Sequence, residues 1–183
     1  MQLNKINWKI KINNPEVAEP DKVFKVFSSW IEDSEEIFVD VSDYQHVVDG
    51  PHTVLIGYYC DYWLDNTGRS TGFLYNQRQP VEGDNSTIIR KTLATTIKAA
   101  KRLNDNPEFK GAIDYSTEEI QFTINDRLLA PNSKSTYSEI KPELEKVFDP
   151  QRFSLKKNEN TRQRFSVTIT ANQGISIDDL LAL

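Results

Sequence analysis

The sequence predicts an α+β fold: a single two-layer domain over residues 1–183, in which a mainly antiparallel sheet packs against two to three helices. Three observations lead there. Several segments alternate apolar and polar residues at period two, the mark of a strand with one buried face, which suits an antiparallel sheet covered on one side. A few longer segments space their apolar residues for one helical face. No polar segment has the length or composition of a domain linker, and no repeat of roughly 20 to 50 residues recurs.

In chain order, INWKIKI sets Ile6, Trp8, Ile10 and Ile12 against Asn7, Lys9 and Lys11 and reads as the first strand. PDKVFKVFSSWIED (20–33) opens with Pro20 and Asp21 and spaces Val23, Phe24, Phe27, Trp30 and Ile31 for a helix. IFVDV (37–41) is a short, mostly apolar strand. TVLIGYYCDYWL (53–64) reads as one long strand, with Val54, Ile56, Tyr58, Cys60, Tyr62 and Leu64 on one face and Leu55, Gly57, Tyr59, Asp61 and Trp63 on the other. DNTGRS supplies turn chemistry, with Gly68 free to take positive φ, and TGFLYN (71–76) returns, so 53–76 is predicted as a β-hairpin.

NSTIIRKTLATTIKAAKRL (85–103) is a second helix, capped by Asn85 or Ser86 and buried through Ile89, Leu93, Ile97, Ala100 and Leu103. EIQFTIN (119–125) and RFSVTITA (164–171) alternate as strands. SEIKPELEKVF (138–148) is a shorter helix in which Pro142 fits only near the first turn, and SIDDLLAL is a last turn capped by Ser176. The predicted order is β-α-β-ββ-α-β-α-β-β-α.

Composition narrows the function classes. Nine Phe, seven Tyr and three Trp are too many large side chains for a disordered chain. No stretch approaches the roughly 20 apolar residues needed to cross a bilayer, and the first residues alternate instead of forming a signal peptide's apolar block; no membrane partner and a cytoplasmic location are the expectations. A net charge of −5 and a pI near 5.1 argue against a nucleic-acid partner. The lone Cys60 has no internal disulfide partner. No cofactor is expected, because the glycine-rich phosphate and dinucleotide loops are absent.

The segment DVSDYQHVVDGPHTVLIGYYCDYW carries the one candidate for chemistry. Asp43, His46 and Asp49 are ligand and general-base types, with Asp40 and Asp61 as further carboxylates. Yet D-x-x-H-x-x-D is no established metal signature. Asp49-Gly50-Pro51 makes a turn, and Asp43 can cap it through its own backbone, so the segment reads first as a bend between strands. Cys60, on an apolar face, reads as a buried small hydrophobe and not as a reactive thiol.

Two features suggest binding. Tyr59, Asp61 and Trp63 share the less apolar face of the hairpin, an aromatic surface of the type found at contacts if it is open. The second helix carries Arg90, Lys91, Lys98, Lys101 and Arg102 and no acid, so removing those five charges leaves −10 for the remainder. Lys91, Lys98 and Arg102 fall near one stripe, which reads first as a solvated helix face and otherwise as a docking face for an acidic or phosphate-bearing partner.

DYQHVVDGP followed by LIGYYCDYWLDNTGRSTGFLY resembles a segment of uncharacterised bacterial proteins, covering roughly residues 39 to 75. The resemblance implies that loop and hairpin belong together as one unit, and it assigns no activity. The sequence is therefore read as a non-catalytic protein-interaction module, adaptor or regulatory, that binds a protein partner or itself. An edge position for the first strand, Ile6 to Ile12, would provide for strand pairing. The alternative is a small metal-assisted hydrolase built on Asp43, His46 and Asp49, with Asp61 as a further carboxylate.

Overall fold

A computed structural model describes residues 1–183. Its elements run β1 (Ile6–Ile12), α1 (Pro20–Asp33), β2 (Phe38–Asp43), β3 (Pro51–Gly57), β4 (Cys60–Asp65), β5 (Gly72–Gln77), α2 (Asn85–Asp105), β6 (Tyr115–Ile124), α3 (Lys134–Glu145), β7 (Phe153–Lys157), β8 (Phe165–Ala171) and α4 (Ile177–Leu181). All eight strands form one sheet in the order β2-β3-β4-β5-β1-β6-β8-β7, and every neighbouring pair is antiparallel. The α+β class with a mainly antiparallel sheet is thus the fold of this chain, with four helices.

One row of paired residues explains the core. Val41, Leu55, Tyr62, Tyr75, Trp8, Phe122, Val167 and Lys157 lie side by side across all eight strands. The helices cover this face. Phe27 and Trp30 of α1 meet Phe73 and Tyr62, with ring centroids 6.5 and 6.0 Å apart. The Trp8 indole donates to Thr92 Oγ1 of α2 at 2.9 Å, which satisfies its only polar atom inside the core. Phe148, just beyond α3, packs on the other side of Trp8 at 6.1 Å.

The opposite face carries the second row: Ser42, Val54, Trp63, Leu74, Lys9, Gln121, Thr168 and Lys156. No helix packs on it. A buried ion pair stands in the middle, Lys9 Nζ to Asp65 Oδ2 at 2.6 Å. Lys9 reaches it over β5, where Gly72 leaves room; a Cβ there would sit 2.8 Å from Lys9 Cε and 2.7 Å from the Ile10 carbonyl oxygen.

Three sequence expectations change. The first strand is central, between β5 and β6, and not at an edge. The burial of Ile6, Trp8, Ile10 and Ile12 demands a neighbour on both sides as well as helices above. The stretch 53–64 is two strands, not one, because the chain reverses at Gly57-Tyr58-Tyr59-Cys60. Val54 and Ile56 therefore lie on the open face, while Cys60, Tyr62 and Leu64 face the core as expected. Finally, α3 begins at Lys134, capped by Ser133, whose Oγ accepts from Thr136 N at 3.1 Å, so Pro142 lies in its interior near the C-terminal end.

The caps also shift. Asp84, not Asn85 or Ser86, caps α2 by accepting from Thr87 N at 2.8 Å. Gly68 does take positive φ, 71°, in the β4–β5 turn.

Candidate functional site

Asp43, His46 and Asp49 sit in the loop between β2 and β3, all exposed. Asp43 Oδ1 accepts from Gln45 N at 2.8 Å, a local turn bond. Asp49 turns away and accepts from Gly68 N at 2.6 Å, so it ties this loop to the β4–β5 turn. Asn66 strengthens the same tie through Val48 O at 3.1 Å, so loop and hairpin are held as a unit. The ring of His46 lies 6.3 Å from that of Tyr44. Nowhere in the chain do three His, Cys, Asp or Glu side chains gather closely enough to hold a metal ion. The geometry does not bring Asp43, His46, Asp49 and Asp61 together.

Asp61 belongs to the open face instead. Its Oδ2 accepts from Asn76 Nδ2 at 2.9 Å, and its Oδ1 accepts from Gly57 N at 3.2 Å and Arg78 Nη1 at 3.3 Å. Those partners occupy the carboxylate, which is buried. Trp63, two residues along, is half-buried, and its indole N–H has no partner. Arg78 was not legible as a partner of Asp61, because only the β4–β5 register brings them together.

Cys60 is a core residue. Burial, followed by the nearby Glu36 and Asp61 charges and partly offset by Tyr62, pushes its thiol up to about 12. The hydroxyls of Tyr62, Tyr75 and Tyr115 are likewise pushed upward, chiefly by burial. None of these groups is disposed to ionise near neutrality.

The cations of α2 divide. Arg102 lies over the Trp30 ring at 4.3 Å and donates to Asp33 O and Ser34 Oγ, both at 3.2 Å, so it clamps α2 to the end of α1. Lys91 donates to Glu82 O at 3.0 Å, and Lys101 pairs with Asp178. Lys98 stays exposed beside a hollow of about 320 Å³ that it shares with Trp30, Glu36, Tyr62 and Arg102. A larger hollow of about 650 Å³ on the open face is lined only by polar residues, Glu119, Gln121, Lys156 and Thr168 among them. It lacks the apolar walls that grip a small molecule.

A group of adjoining exposed apolar side chains points to another place. Ile37, Val39, Tyr58 and Tyr59 are 57, 67, 52 and 58% exposed. They adjoin: Tyr58 N donates to Ile37 O at 2.8 Å, the rings of Tyr58 and Tyr59 meet edge to face at 4.9 Å, and Val39 occupies the bulge of β2. β2 itself is an edge strand with one side unpaired. From Val26 to Gly68 there is no Lys or Arg, while Glu32, Asp33, Glu35, Glu36, Asp40, Asp43, Asp49, Asp61 and Asp65 all fall there. Asp61 and Asp65 are compensated by Arg78 and Lys9. This acid run was a legible sequence signal; that it lies along a free sheet edge was not.

Compared with known protein families and with curated proteins, the chain matches none of either. No helix is long and apolar enough to cross a membrane.

Proposed function

We propose that this protein is a non-catalytic protein-interaction module that receives an extended, basic segment of its partner as an added strand along β2. The observation carrying this reading is the free β2 edge, where exposed Ile37, Val39, Tyr58 and Tyr59 stand within a stretch that has no basic residue. An unpaired edge offers backbone donors and acceptors in a row, apolar neighbours add burial, and acids select a basic partner. Tyr59 belongs to this edge in the proposal. Asp61, Trp63, Lys91, Lys98 and Arg102 stand outside this edge. The loop acids Asp43 and Asp49 serve to shape and tie the bend that leads from β2 into β3.

The test is a titration with a synthetic strand peptide that alternates lysine and leucine, followed by amide NMR and hydrogen exchange. Signals of Val39, Val41 and Asp43 are expected to shift, and the Val41 and Asp43 amides to gain protection. Binding that leaves β2 untouched, or no binding at all, would overturn the reading. A hydrolase built on the β2–β3 loop would instead require activity lost in His46→Ala.

A further inference from the structure

The sheet has a second free edge, and its chemistry is the reverse of the first. β7 closes the far side, and from Arg152 to Arg164 it and the following loop contain Arg152, Lys156, Lys157, Arg162 and Arg164 against the single acid Glu159. Resting on the strand-addition reading above, we propose that the segment received by β2 is β7 of a second copy of this chain, so that copies join head to tail.

Four independent features of the two edges agree with one register. The first is direction. The strands alternate across eight positions, so β2 and β7 run oppositely within one sheet. A second copy placed beside the first, with its helices on the same side, therefore sets its β7 antiparallel to β2. Head-to-tail addition continues the sheet without turning it over.

The second is hydrogen bonding. Tyr44 N donates to His52 O at 2.8 Å, so by the alternation of an antiparallel ladder Ser42 and Asp40 also bond toward β3. The N–H and C=O of Val41 and Asp43 then point outward. On β7, Asn158 N donates to Ser166 O at 2.9 Å and Asn172 N to Arg152 O at 2.8 Å, so Phe153, Leu155 and Lys157 point outward; of these, the Phe153 N–H already donates to Asp149 O at 2.9 Å and the Leu155 carbonyl accepts from the Tyr137 hydroxyl at 3.1 Å. Setting Val41 opposite Leu155 and Asp43 opposite Phe153 offers the Leu155 N–H to the Val41 carbonyl and the Phe153 carbonyl to the Asp43 N–H.

The third and fourth are the two faces. In that register Val41 meets Leu155 on the helix-covered side, where each is only partly buried in the single chain. On the open side Asp40 meets Lys156 and Ser42 meets Ser154. Asp40 and Lys156 are both exposed. Like edges are kept apart by the same charges, since β2 against β2 opposes acids to acids and β7 against β7 opposes lysines to lysines. Such an interface uses different surfaces on the two copies, so association does not stop at a dimer; it gives a ring or a filament.

The test is sedimentation velocity over a concentration series at low and high salt, with two charge-reversed variants. One is Asp40→Lys/Ser42→Lys; the other is Ser154→Glu/Lys156→Glu. Wild type is expected to form species larger than a dimer, weakened by salt. Each variant alone sets like charges across the interface and is expected to associate at least about tenfold more weakly. Mixed, the two variants restore both kinds of contact and are expected to assemble again. A merely structural role for these residues would not produce that recovery.

A wild type that stays monomeric yet binds the lysine–leucine peptide at β2 would overturn the second-copy proposal and leave strand addition standing. A monomer that ignores the peptide would overturn both. Assembly that halts at a dimer, or a mixture of variants that stays dissociated, would overturn this register. Circular dichroism of each variant establishes that loss of assembly is not loss of fold.

Discussion

The buried pair on the open face sets up a quantitative trial. Lys9 and Asp65 are 8 and 1% exposed, with their charged atoms 2.6 Å apart. The carboxylate also receives Thr67 N at 3.2 Å and Thr67 Oγ1 at 2.7 Å. In Lys9→Met the stem remains but the ammonium goes, and Asp65 is left buried with neutral donors only. Removing one partner of a buried pair costs about 3–5 kcal/mol, and the Thr67 bonds place this case toward the lower end. Against a total stability of roughly 10 kcal/mol that is about a third, a fall in Tm of roughly 10 °C. Asp65→Asn should cost a similar amount, because the buried Lys9 ammonium then has only neutral acceptors, the amide oxygen and Thr67 O at 3.3 Å. The double variant Lys9→Met/Asp65→Asn has no buried charge, and it should lie within about 1 kcal/mol of wild type. Urea unfolding followed by tryptophan fluorescence measures all three. If Lys9→Met costs less than about 1 kcal/mol, or if the two single losses simply add, the pair is not the coupled unit described here.

Other expectations follow from single sites. Gly72→Ala should destabilise by about 1–3 kcal/mol in the same assay, since the new methyl meets the fixed Ile10 carbonyl as well as the Lys9 stem. The Cys60 thiol, held protonated by burial, should resist alkylation at pH 8 in the native protein and react once urea unfolds it; rapid native labelling would contradict its placement. The Asp84 carboxyl is held below the ordinary carboxylate range by the Thr87 N–H, so its contribution to stability is present above the unfolded carboxyl's pKa and is lost as pH falls through the lower folded value. Asp84→Asn should keep the cap but flatten that part of a pH–Tm curve. Arg102→Lys should cost about 0.5–1 kcal/mol through the lost stack on Trp30, with no rescue from the retained charge.

Where one local pattern decides an element, the chain could be read directly. The alternation of β1 and β8 and the amphipathic spacing of α2 needed no long-range information. The reversal between β3 and β4 escaped because its residues are Gly-Tyr-Tyr-Cys, with neither Pro nor Asn-Gly to mark it. No residue there takes positive φ; Gly57 is required by closeness instead, since a Cβ would fall 2.3 Å from the Cys60 carbonyl oxygen. An unbroken apolar run hid the turn, and with it the swap of Val54 and Ile56 to the open face. Strand order was equally invisible, because β1 owes its central place to distant partners. For the site, Tyr59 is exposed but lies in the β3–β4 turn and not on one strand face with Asp61 and Trp63, and Arg102 and Asp61 were claimed by neighbours that sequence spacing does not reveal.

The central place of β1 bears on how the chain is made. Although it precedes them in the chain, its two ladder partners are residues 72–77 and 115–124. Trp8 and its neighbouring isoleucines therefore lack their β6 partner until residue 124 has been synthesised. Contacts so remote along the chain favour slow, late assembly. Nascent chains cut short before β6 should be the form of this protein most dependent on a chaperone.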